Sequence, residues 1–166
     1  MLAHEAYPGH LYQNVYHAEH ISSYCQRAYN LIGYSEGWAE YADAYIMARA
    51  GYDLNAVRYL SLEDKLFNLY IPTRIDIGIH SEGWLLDDVE DYLWDLGLDM
   101  PEYAAWVYDM SLEIPCYFAP YAVGYLQTQA LIGGAVSTYE DRDLIEIHQA
   151  YLSIGPAPFH IIEAYM

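Results

Sequence analysis

The sequence predicts a single all-α domain, and three observations carry that prediction. Apolar residues recur at three- and four-residue steps through most of the chain, the spacing of one helix face. The single alternating run, Ile75-Asp76-Ile77-Gly78-Ile79, is too short and too isolated to found a sheet. No linker, low-complexity tract or charge block divides the 166 residues, a length that suits one domain with a real core.

The elements follow in chain order. Helices are expected over Leu11 to Ala28, Trp38 to Ala50 and Asn55 to Tyr70. The Ile75 to Ile79 run reads as a connector or a helix start. Leu85, Leu86, Val89, Leu93 and Leu96 then mark an amphipathic helix. Tyr103, Trp106, Val107, Met110 and Ile114 repeat the pattern, with Pro101 in a first turn, where its missing N–H is tolerated. A further helix is expected over Ala122 to Val136. Leu144, Ile145, His148, Tyr151 and Leu152 form the last periodic run, after start signals in Thr138 to Asp141 and before the Gly155-Pro156 stop.

Composition excludes some partners. Six Lys and Arg face 24 Asp and Glu, a formal net charge of -18. Such a field repels nucleic acid and anionic membrane surfaces, because phosphate binding needs clustered cations. No apolar window is long enough to span a bilayer. Cys25 and Cys116 are too few for a disulfide framework and fit either two free thiols or one bridge. Residues Met1 to Glu5 carry neither a basic nor an apolar leader segment. Because the chemistry begins at His4, the chain reads as the C-terminal piece of a longer protein, and its compartment stays open.

The most informative segment is His4-Glu5-Ala6-Tyr7-Pro8-Gly9-His10. A zinc hydrolase needs neutral imidazole ligands, an open coordination position and a carboxylate beside the attacking water. On a regular helix, six residues leave two side chains roughly 120° apart and about 9 Å apart along the axis, too far to share an ion. Pro8 supplies the remedy, since its ring clashes with the carbonyl four residues back, that of His4. A break at Pro8-Gly9 would swing His10 toward His4. Glu36 is the preferred third ligand, because it leads into a long helix that can pack on the first. Glu82 is its rival, since Ser35-Glu36-Gly37-Trp38 recurs as Ser81-Glu82-Gly83-Trp84. Glu40 or Asp43 would orient a ligand histidine from behind.

These segments, with Arg74-Ile75-Asp76-Ile77-Gly78-Ile79-His80 and Gly155-Pro156-Ala157-Pro158, resemble the catalytic portion of the bacterial family called domain of unknown function 885. That family resembles helical zinc metallopeptidases whose third ligand is a glutamate. The resemblance covers almost the whole chain. It implies that His4, His10 and Glu36 hold Zn2+, that Glu5 activates the water, and that the substrate is a peptide. It also implies that helices forming the other cleft wall lie in a missing N-terminal region or a partner chain. Three positions depart from the family pattern: Leu11 stands where a second histidine is common, Glu40 replaces a leucine, and Ala119-Pro120-Tyr121-Ala122 replaces a Pro-Gly-Gln-Ala run.

Hydrolysis also needs donors for the developing oxyanion and a hold on the substrate. Tyr125 and His80 are the candidate donors, although most of the 20 Tyr must serve as half-buried core. Arg74 either clamps a substrate carboxylate or pairs internally with Asp76 or another nearby acid. His17 and His20 read as ordinary surface or core residues, His148 falls on an apolar stripe, and His160 has no assigned role. The resulting expectation is a zinc-dependent hydrolase, set against a non-catalytic helical metal-binding module or a subunit that completes a cleft with another chain.

Overall fold

The computed structural model describes residues 2–51 and 53–166, and none of the described residues is in a β-strand. The chain begins with the short helix α1 (Leu2–Glu5), a bend, and α2 (His10–His20). The helix expected over Leu11 to Ala28 is two helices, because Ser23 caps α3 (Tyr24–Ala28) by accepting from the Gln26 N–H at 3.2 Å. The long helix α4 covers Ile32–Met47 and so begins well before Trp38. Gly33 and Gly37 are points of close approach to α9 (Ala119–Thr138). A Cβ on Gly37 would stand 2.4 Å from the Gly124 carbonyl oxygen and 2.7 Å from Thr128 Oγ1. Tertiary packing here outweighs helix propensity.

Helical structure then runs without interruption from Leu54 to Glu82. It comprises α5 (Leu54–Lys65), a π-helical turn at Leu66–Tyr70, α6 (Ile71–Ile77) and a second π-helical turn at Gly78–Glu82. The first π turn has a visible cause. Pro72 cannot donate a backbone hydrogen bond, and the wide turn before it lets the Ile71 N–H reach back to the Leu66 carbonyl. The alternating Ile75 to Ile79 run lies inside this helical stretch, not in a strand. Left-handed Gly83, with φ 78°, ends it.

Three of the remaining helices match the periodic runs, α7 (Leu86–Asp95), α8 (Pro101–Glu113) and α10 (Leu144–Ile154). The last, α11 (Phe159–Tyr165), follows the Gly155-Pro156 stop and corresponds to none of them. Asp143 and Glu146 form a reciprocal capping box that starts α10. Two cores result. Tyr34, Trp38, Ile132, Ile147, Tyr151 and Leu152 unite α4, α9 and α10. Ile71, Ile75, Val89, Leu93, Ala104 and Val107 unite α6, α7 and α8. Leu69, Ala122 and Tyr125 pack between the first π turn and α9. Among the described residues, no helix is long and apolar enough to cross a membrane.

Candidate metal centre

The break at Pro8-Gly9 is present. Helix α1 stops at Glu5, residues 6–9 bend, and α2 begins at His10. The Gly9 N–H reaches back to the Ala3 carbonyl at 2.9 Å, wider than any regular helical turn. A side chain could not occupy position 9, since a Cβ there would sit 1.8 Å from the His4 carbonyl oxygen. From α4, the Trp38 indole N–H donates to the Pro8 carbonyl at 2.9 Å and ties the bend to the core. The outcome is that the His4 and His10 rings meet edge to face, with centroids 4.8 Å apart.

Glu36 lies in the second turn of α4, and a single oxygen faces both rings. Glu36 Oε2 is 3.4 Å from His4 Nε2 and 3.3 Å from His10 Nε2. Two donors bound to one tetrahedral zinc at ordinary bond lengths are about 3.3–3.4 Å apart, so these two edges fit the ion. Among the described residues, His4, His10 and Glu36 are the one group of three or more His, Cys, Asp or Glu placed to share an ion, with donor atoms all within 4.8 Å of one another. Burial opposes ionisation of Glu36, but the hydrogen bonds and charges of His10 and His4 outweigh it and pull the carboxyl down to about 2. The hydrogen bond to Glu36 raises His10 above its ordinary value, against the effect of its own burial. Protons and a metal ion would therefore compete for the same three groups.

The far side of each ring is also engaged. Ser35 Oγ lies 3.4 Å from His10 Nδ1 and 3.4 Å from Gln13 Oε1, which can only accept. With its proton given to Gln13, Ser35 is left to accept from His10 Nδ1–H, the tautomer that frees Nε2 for a metal. His4 Nδ1 lies 3.4 Å from Glu40 Oε1, and the other oxygen of Glu40 pairs with Lys65 at the end of α5. Of the two carboxylates weighed for orienting a ligand, Glu40 thus stands behind His4.

The other candidates are placed as follows. Glu5 is exposed, one residue beyond His4, and its charge acts on His10. Glu82 is held by Arg74, whose Nη1 and Nη2 lie 3.0 and 3.1 Å from its two oxygens. The Arg74 guanidinium also rests 4.3 Å from the centre of the Trp84 ring, so the internal pair forms with Glu82 and not with Asp76. His80 Nε2 meets the Ser111 carbonyl at 2.9 Å and Asp76 Oδ1 at 3.3 Å, away from any contact with the three ligand candidates. Tyr125 is buried, with its hydroxyl accepting from Gln129 at 3.5 Å.

One tyrosine was missed by the sequence reading. Tyr121, one turn before Tyr125 on α9, is half-buried, and burial followed by the charge of Glu36 pushes its hydroxyl up to about 12. It therefore stays protonated, with its hydroxyl engaged by the neighbouring Tyr117.

The remaining histidines have ordinary roles. Burial lowers His17 and His148 to about 4, and they bond to the Tyr34 and Tyr41 hydroxyls at 2.9 and 2.8 Å. His20 stacks on Tyr16, and both cysteines are free and exposed.

A family described as bacterial protein of unknown function (DUF885) has a model that matches residues 1–166. No curated protein and no solved structure matches the chain.

Proposed function

The chain belongs to this bacterial family of unknown function, and from that premise we propose that it is a zinc-dependent hydrolase acting on peptide bonds. The observation that carries the proposal is the shared oxygen. Glu36 Oε2 stands at 3.4 and 3.3 Å from the Nε2 atoms of two histidines on separate helices. Two imidazoles and one carboxylate suit zinc and leave a fourth position open, the donor set of a catalytic site. Zinc, when bound, supplies Lewis acidity and makes a neighbouring water acidic enough to attack near neutral pH.

The chain's own groups do the rest. Glu5, adjacent to the ligand His4 and exposed to solvent, takes the proton from the attacking water and passes it to the leaving amine. Tyr121, protonated and half-buried beside Glu36, donates to the oxygen that gains charge as the carbonyl becomes tetrahedral. Tyr121 is preferred to Tyr125, which is buried, and to His80, whose Nε2 already meets the Ser111 carbonyl, because the charges of Glu36 and Glu40 act on it. Arg74 is a structural partner of Glu82 in this reading. Peptide as the substrate class rests on the family resemblance, because the same apparatus hydrolyses esters and other amides.

Metal analysis of the purified chain, together with hydrolysis of a mixed peptide pool, tests the proposal. About one zinc per chain and peptide cleavage lost in Glu5→Gln with zinc retained are expected. Zinc uptake with no cleavage by the wild type would move the reading to a non-catalytic metal-binding module. No uptake would overturn it.

A further inference from the structure

Lys65 is 4% exposed, and a buried ammonium is stable only with a counter-charge and filled hydrogen bonds. Its partner is Glu40, one turn beyond Glu36 on the same face of α4. Asp64 Oδ2 is a second and more exposed neighbour at 3.7 Å. The Tyr125 ring covers the ammonium, with its centroid 5.1 Å from Nζ. The two Glu40 oxygens divide their work. Oε2 takes the Lys65 ammonium, and Oε1 is left 3.4 Å from His4 Nδ1. A carboxylate free to rotate would present either oxygen or neither to the ring. One clamped at Oε2 presents Oε1.

We propose that Lys65 is a positioning residue of the metal centre, which acts through Glu40 to hold His4 with Nδ1–H turned away from Glu36 and the Nε2 lone pair turned toward the metal. The proposal rests on the zinc reading above and extends it to a residue on a third helix. The sequence gives no hint of this role, since Lys65 belongs to no motif. Its place directly before the π turn at Leu66–Tyr70 is where the helix changes register on its way to Pro72.

The test is zinc affinity by chelator competition for the wild type, Lys65→Met, Glu40→Leu and the double variant, with thermal melts as the folding control. Glu40→Leu is expected to weaken zinc binding by roughly tenfold or more, as losing the partner behind a ligand histidine does elsewhere. Lys65→Met should fall by a similar factor, and Lys65→Arg should stay close to the wild type. Because Lys65 acts through Glu40, the double variant should bind no more weakly than Glu40→Leu alone. The double variant replaces the buried pair with apolar groups, an exchange that proteins tolerate, so it decides the matter even where Lys65→Met does not fold. In zinc-loaded wild type, the His4 Nδ1 proton should be protected from solvent exchange, and the Glu40→Leu and double variants should lose that protection equally.

Unchanged affinity in Lys65→Met overturns the inference, as does a double variant weaker than Glu40→Leu. Either result leaves the zinc reading standing. A wild type that takes up no zinc overturns both.

Discussion

The indole of Trp38 donates to the carbonyl of Pro8 at 2.9 Å, and this bond joins the bend between the two histidines to the helix that carries Glu36. The side chain of Trp38 is almost fully buried against Tyr151 and His148, so its donor is fixed in place. Replacing Trp38 by Phe should keep most of the packing and leave the Pro8 oxygen without its partner. A loss of about 1–3 kcal/mol in stability is expected, with weaker zinc binding. Denaturant unfolding and chelator competition on the same sample measure both.

The two Ser-Glu-Gly-Trp tetrapeptides should separate by function. Glu36→Gln should abolish stoichiometric zinc uptake, because its Oε2 faces both histidines. Glu82→Gln should leave uptake intact, because that carboxylate faces Arg74. Metal content after gel filtration distinguishes them, and equal loss in both variants would contradict the assignment of Glu36.

The metal-free protein should be most stable near pH 6.5. His17 and His148, held neutral by burial with values of about 4, cost stability as pH falls from 6.5 toward 4. Glu36 is depressed from 4.5 to about 2, so its contribution is present above 4.5 and lost as pH falls toward about 2. His10 is raised above 6.5, so its contribution is present below 6.5 and lost as pH rises through the higher value. Zinc needs His10 neutral, so zinc affinity should instead rise with pH, and uptake below 6.5 should release a proton. Thermal melts of metal-free protein across pH and proton release on titration in weakly buffered solution check the two signs.

Tyr121→Phe should lower kcat/KM for peptide cleavage by roughly a hundredfold, the usual effect of removing one oxyanion donor. Its zinc content should not change, since Tyr121 is not one of the three grouped ligands. Tyr125→Phe should have a smaller effect on turnover, because Tyr125 is the more buried of the two.

Gly37→Ala should destabilise the fold by about 1–3 kcal/mol, the range for overpacking a tight contact. Its added methyl would lie 2.4 Å from the Gly124 carbonyl oxygen, and backbone cannot move aside as a flexible side chain can. A lowered melting temperature with unchanged helical circular dichroism is the expected signature.

The helical class and most helix positions were legible because three- and four-residue spacing reports directly on a buried face. The kink between His4 and His10 was legible because Pro8 acts on the backbone locally. The start of α4 was not. Gly33 and Gly37 lie in its first two turns, and only the crossing with α9 explains why a helix tolerates them. The division between α2 and α3 was hidden for a similar reason, since apolar spacing continues past Ser23 while the backbone does not. At the site, His4, His10 and Glu36 could be proposed from motif and spacing, and the structure brings all three together. Lys65 and Tyr121 could not be assigned in the same way. Their places depend on which helices cross, and crossings have no local signature.

The two cores also set how the molecule comes apart. His4, His10, Glu36 and Glu40 lie on α1, α2 and α4, beside the core built on α4, α9 and α10. Ile75, Val89 and Val107 form a second core on α6, α7 and α8, joined to the first through Leu69, Ala122 and Tyr125 and the Lys65–Glu40 pair. Amide exchange should therefore divide into two cooperative groups with different protection. Zinc added to the protein should slow exchange in the first group much more than in the second, because only the first contains the atoms that would bind it.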